Sequence, residues 1–142
     1  MNTPMTWSHR LTEFDGRPAQ ILIDDCFRSS APVRELPRLA WFGVYGRLDP
    51  GCAFWDPDES AKLDAIEDDM LRLCEQFGRG WAVYVLRIDT RGVRENFLYF
   101  GGTGELAEVL PSLRAAHPEY RIEYEEFSDE SWRRYKSCLA DE

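Results

Sequence analysis

Hydrophobic and polar positions change rhythm several times along the chain, and each change predicts an element. Trp7–Phe14 has strand character and runs into Asp15-Gly16-Arg17-Pro18, a turn signal. Residues 19–25 resume as a strand through Ile21, Leu22 and Ile23, so residues 7–25 predict an N-terminal hairpin. Residues 28–38, with Ser29, Ser30, Pro32 and Pro37, read as a connecting loop. Residues 39–48 are nearly continuous in apolar side chains (Trp41, Phe42, Val44, Tyr45), as in a central strand covered on both faces.

A long helical signal follows. Asp56 stands at an N-cap, Pro57 at the first helical position and Glu59 where a capping box wants a carboxylate. Leu63, Ile66, Met70, Leu73, Cys74 and Phe77 recur at helical spacing, and Gly78 and Gly80 close the run. One stripe therefore faces a core, with Asp64, Asp68 and Glu75 expected to face water. Residues 81–89 and 94–101 predict an antiparallel hairpin across Thr90-Arg91-Gly92. Thr103 is placed to cap a second helix carrying Leu106, Val109, Leu110 and Leu113; Pro111 implies a kink or a division, and His117-Pro118 a stop. Residues 120–127 alternate, Tyr120, Ile122 and Tyr124 against Arg121, Glu123 and Glu125, like a strand with one wet face near a sheet edge. Ser128 or Asp129 then caps a final helix over about 129–139, with Trp132, Tyr135 and Leu139 on one stripe.

Between residues 39 and 127 the order is strand, helix, strand, strand, helix, strand, which is the ferredoxin-like βαββαβ order. The predicted class is α+β: one domain over 1–142 with an antiparallel sheet, a hairpin before the ferredoxin-like core and a helix after it. Helices on one face of such a sheet leave the other for a partner or for the added elements.

Composition narrows the function. Apolar residues make up 44% and aromatics 13% of 142 residues, enough to bury a core. No apolar run approaches the roughly 18 residues of a membrane span, and the N-terminus lacks the basic-then-apolar layout of a signal peptide. A cytoplasmic location without membrane contact is expected. Cys26, Cys52, Cys74 and Cys138 show no C-x-x-C spacing and read as reduced thiols, some packed in the core. With only His9 and His117 to supplement them, no structural zinc site is expected. The net charge of −9 disfavours nucleic acid as a direct ligand and favours a basic protein surface.

Catalytic patterns are sparse. Gly101-Gly102-Thr103-Gly104 lacks the Lys-Ser/Thr of a P-loop and the spacing of a dinucleotide fingerprint, so a tight turn explains it. No G-x-S-x-G occurs, and His117 suits the negative end of a helix dipole better than a base's role. Carboxylate pairs (Asp24-Asp25, Glu67-Asp68-Asp69, Glu125-Glu126) would need to converge before they could hold a metal or do acid–base work. No catalytic residue, cofactor or metal ligand is assigned.

Several of these landmarks belong together. The opening Trp7, the "AIEDDM" run after the Asp56 helix start, Arg94-Glu95 leading into Phe97-Leu98-Tyr99, and Asp129-x-x-Trp132-x-x-Tyr135 resemble the bacterial family called domain of unknown function 695. The resemblance extends from about Trp7 to Leu139. It implies no settled activity. Members of that family are sometimes joined to domains like RraB, a regulator of ribonuclease E, which tilts the expectation toward binding and regulation by analogy alone.

Acidic residues are unevenly spread. Residues 56–69 hold seven against one base, and residues 119–142 hold eight against four. A dipole-enriched helix start and a solvated tail explain the pattern as well as an acidic docking face does. Phe54 and Trp55, ringed by Asp49, Asp56 and Asp58, are candidate exposed anchors or inward-folded staples. The expected partner-binding residues are therefore Asp49, Phe54, Trp55, Asp56, Asp58, Glu59, Asp64, Asp68, Glu123, Glu125 and Glu126. The expected function is a non-enzymatic module that binds a basic protein, such as an immunity-type inhibitor of a bacterial toxin. A ribonuclease regulator and a metal-dependent enzyme with converging carboxylates are the alternatives.

Overall fold

In the computed structural model, which describes residues 6–140, every strand predicted from periodicity forms. The elements are β1 (Trp7–Phe14), β2 (Arg17–Asp24), β3 (Arg38–Tyr45), α1 (Pro57–Gly78), β4 (Ala82–Thr90), β5 (Val93–Phe100), α2 (Val109–Ala116), β6 (Arg121–Ser128) and α3 (Arg133–Ser137). All six strands join one antiparallel sheet in the order β1-β2-β4-β5-β3-β6. Its β6-β3-β5-β4 part is the predicted core, with the helix-bearing connections crossing between non-neighbours. The N-terminal hairpin extends the sheet by laying β2 on β4, from Ala19 opposite Thr90 to Ile23 opposite Leu86.

Local chemistry sets the corners. Asp15-Gly16 and Arg91-Gly92 take positive φ at both residues, the two-residue turn whose twist matches an antiparallel hairpin. Asp56 caps α1, accepting from the Glu59 N–H at 2.7 Å. The second half of the predicted capping box does not form, because the Glu59 carboxylate accepts from the Arg47 N–H (2.7 Å) and the Tyr120 hydroxyl (2.8 Å). Thr103 caps nothing: residues 106–108 make a 3-10 turn before α2, which has no side-chain cap. The predicted division thus falls before Pro111, which lies in the first turn of α2, where a missing N–H interrupts no bond.

The sheet is covered on both faces. On one, Phe42, Val44, Leu98 and Phe100 pack against Leu63, Ile66 and Met70 of α1 and Val109 and Leu113 of α2. On the other, Ile21, Ile88, Phe97 and Tyr99 meet Leu36 of the linker before β3 and Trp132, Tyr135 and Cys138 of the C-terminus. The added elements therefore close much of the second face.

The predicted 129–139 helix is shortened to the single turn α3. Trp132 adopts a left-handed conformation (φ 55°) and interrupts it. Tertiary contacts account for this. The Trp132 ring lies flat on Tyr99 (4.1 Å, 8°), and its Nε1 donates to the Leu36 carbonyl at 2.9 Å. Asp129 accepts from the Tyr99 hydroxyl at 2.6 Å and from the N–H groups of Arg133 and Arg134. Tyr135 donates its hydroxyl to the Asp24 carbonyl at 2.6 Å, tying the C-terminus to β2. Burial first, then neighbouring carboxylates, push the Tyr135 phenol up to about 12.

Candidate functional site

Two regions concentrate functional groups. Beneath α1, Arg87 and Asp89 of β4 and Arg94 and Asn96 of β5 point to the helix-covered face, with Arg87 opposite Asn96 and Asp89 opposite Arg94. Asp64 and Glu67, one helical turn apart on α1, come down on them. Arg94 donates through Nε to Asp89 Oδ1 (2.9 Å) and through Nη1 to Asp64 Oδ1 (2.7 Å). Arg87 donates through Nη1 to Glu67 Oε1 at 3.0 Å. Trp55 Nε1 adds a bond to Asp89 at 3.2 Å, and the Tyr84 hydroxyl donates to Asn96 at 2.9 Å.

Glu67, Asp89 and Arg94 are no more than 2% exposed. Burial pushes the Glu67 carboxyl above its ordinary range, with Arg87 and Arg94 pulling the other way. Glu67 Oε2 has no hydrogen bond, and Arg87 Nε and Asp89 Oδ2 face each other at 3.4 Å without a bonding angle. The arrangement is an interlocked ion cluster in which each carboxylate is held by a guanidinium. Such a cluster orients elements strongly, because removing one partner leaves a buried charge uncompensated. Among the described residues, no group of three or more His, Cys, Asp or Glu side chains is arranged to hold a metal.

Several of the expected partner-binding residues are occupied internally. Glu59 is buried and serves Arg47 and Tyr120, and Asp64 is half-buried at the rim of the ion cluster. Trp55 is half-buried: its ring packs over Gly46, where a Cβ would lie 2.6 Å from it, and its indole reaches Asp89. Of the two readings of Trp55, the inward-folded one is seen. Phe54 is also half-buried, while Asp49, Asp56 and Asp58 are exposed around the start of α1 and Asp68 is exposed midway along it. His117 is the C-cap of α2, at the negative end of its dipole, and also meets Asp69 of α1 at 2.7 Å.

The remaining expected residues lie on β6. Glu123 is held by Arg114 (3.1 Å) and Arg121 (3.3 Å), whereas Glu125 and Glu126 are exposed. Glu125 shares the outer sheet face with Phe127, opposite Trp41 and Leu39 of β3. There a groove of about 390 Å³ is lined by Leu39, Trp41, Glu95, Phe97, Glu125, Phe127 and Arg134. Phe127 is 47% exposed, and the Trp41 indole donates to Glu95 at 3.0 Å. The linker does not line this part of the second face, and α3 reaches it through Arg134, whose guanidinium lies over Phe97.

Sequence reasoning overlooked Phe127 and Trp41 as surface groups and Glu67, Arg87, Asp89 and Arg94 as buried ones. A signal for the latter exists: cross-strand polar pairs on one face of a hairpin, matched by carboxylates three apart on the helix that must cover it. Trp41 carries no such signal, since it reads as a core aromatic, whereas the alternation that puts Glu123 and Glu125 on the wet face carries Phe127 onto it as well.

Over residues 5–140 the chain matches the family described as "Family of unknown function (DUF695)", and it belongs to that family. No curated protein and no solved structure matches the chain. The motifs that carried the resemblance have structural work to do here: Arg94 joins the ion cluster, Glu95 holds Trp41, and Asp129, Trp132 and Tyr135 clasp the second face.

Proposed function

We propose that this member of the DUF695 family acts by binding another protein, presenting the outer face of β3 and β6 to a basic surface. The observation that carries this is the groove in which exposed Phe127 and half-buried Trp41 stand beside Glu95 and Glu125, with Arg134 at its rim, on a chain of net charge −9. An aromatic rimmed by carboxylates combines apolar burial with charge selection, the usual composition of a binding hot spot for a cationic partner. Further support comes from the ion cluster, whose carboxylates are already matched by guanidinium groups and serve the scaffold. The narrower role is that of an immunity-type inhibitor. A phosphate-attracting nuclease surface would be drawn to this acidic face, and covering it would block substrate.

Proteins encoded beside this chain's gene provide the test. Each is to be co-purified with the wild type and with a Glu125→Lys, Phe127→Ala double variant. The expected result is one basic partner that the wild type retains and silences and the double variant releases. Retention by both forms alike, or by neither, would reject the reading.

A further inference from the structure

The groove borders an edge strand whose outward backbone groups are open. Asp129 donates its N–H to the Pro37 carbonyl at 2.9 Å, just beyond the β3–β6 ladder. In an antiparallel pair, directly opposed residues alternate between bonded and non-bonded, so the odd-numbered residues of β6 bond to β3 and the even-numbered ones point outward. The Ile122 carbonyl agrees with this parity, since Arg114 Nε reaches it from α2 at 2.9 Å. Arg114 thereby closes one end of the edge. Beyond it, no described residue pairs with the backbone N–H and C=O groups of Tyr124, Glu126 and Ser128.

Resting on the reading above, we infer that the partner engages this protein by strand addition: an extended, basic segment pairs with the 124–128 edge of β6. Such a strand would set side chains beside Glu125 and Phe127 on the outer face and beside Tyr124 and Glu126 on the other. Lysine or arginine opposite Glu125 and Glu126, with an apolar residue toward Phe127, fits both faces. A second copy of this chain does not fit. Antiparallel self-pairing centred on Tyr124, Glu125 or Glu126 sets at least one glutamate directly against another, the arrangement by which edges resist self-association.

The probe is a synthetic peptide built on Val-Lys-Lys-Val, which sets Lys against Glu125 and Glu126 and Val against Phe127 and Tyr124, compared with the same peptide N-methylated at alternate amides and with a Glu/Val version. Binding is followed by anisotropy and by hydrogen exchange of individual amides. The expected result is slowed exchange at Tyr124, Glu126 and Ser128 with the Lys/Val peptide and no binding of the Glu/Val peptide. N-methylation should weaken binding by about tenfold or more, the equivalent of one or two lost backbone hydrogen bonds. Glu126→Pro should do the same while Glu126→Ala does less, because the Glu126 N–H points outward and its loss removes no bond to β3.

Equal binding of the N-methylated peptide, protection confined to other amides, or no binding of the Lys/Val peptide overturns strand addition. A protein partner lost on Glu125→Lys, Phe127→Ala but indifferent to Glu126→Pro would also overturn it, leaving the wider reading intact. A chain that captures no partner at all rejects the wider reading instead.

Discussion

The ion cluster under α1 and the outer face of β6 hold similar side chains and differ in how they are partnered. Under α1, three carboxylates face two guanidinium groups, and three of these five residues are essentially sealed from water. On β6, Glu125 and Glu126 reach solvent beside an exposed phenylalanine and an open backbone edge. The first region is charged but closed off from water, and the second is open to water with modest charge. A count of acidic residues would rank them the wrong way round for binding. Partnering, not density, separates scaffold from surface.

The comparison breaks most visibly at Arg94. Arg94→Met takes from buried Asp89 the guanidinium that bonds it at 2.9 Å, and a loss of about 3–5 kcal/mol is expected in urea unfolding. A stable Arg94→Met protein would mean that the cluster tolerates vacancy and is a site in its own right. Trp132→Ala tests the clasp on the second face, with an expected loss of the same order, about 3–5 kcal/mol, from a fully buried indole. If that loss is small, the second face is held by the linker instead.

Asp56→Ala should remove about 1 kcal/mol by leaving the first turn of α1 uncapped. Glu67→Gln sharpens the comparison through pH. The folded carboxyl binds its proton more tightly than the ordinary value of 4.5, because burial disfavours its charge. Between about 4.5 and the raised folded value the native state therefore holds a proton that the unfolded chain has released. Glu67 thus lowers stability as pH rises through that window, and below it the penalty is absent. Urea midpoints across pH should show the Gln variant gaining on the wild type as pH climbs through the window. A constant difference would mean that Arg87 and Arg94 already compensate the charge in full. The smallest structural effect belongs to Glu125→Lys: stability within about 0.5 kcal/mol of wild type, with binding of a basic partner lost.

Much of the architecture was legible because it depends on short-range rules. Leu63, Ile66, Met70 and Leu73 at helical spacing, Asp56-Pro57 before them, and Arg91-Gly92 between alternating runs each name their element without reference to distant residues. The candidate site was legible only in part. Glu125 and Glu126 could be read as a wet edge, and alternation carries Phe127 onto the face of Glu125, yet Glu59 and Asp64 looked exposed and Trp55 could be read either way. Amphipathic spacing reports which face is apolar; it does not report that a polar face will be met by polar groups from elsewhere. The final helix failed for a related reason. Trp132, Tyr135 and Leu139 have helical spacing, but stacking on Tyr99 and the bond to Leu36 draw Trp132 out of it.

By itself, then, the amino-acid sequence determined the α+β class, the βαββαβ order, the leading hairpin and the capped long helix. These follow from periodicity, turn chemistry and capping, all settled within a few residues of chain. Only the tertiary structure decided which carboxylates are matched by arginine and which aromatics lie in the core. Those outcomes depend on residues far apart in sequence, such as Asp64 with Arg94 and Trp41 with Glu125, meeting across elements whose relative placement no local pattern encodes.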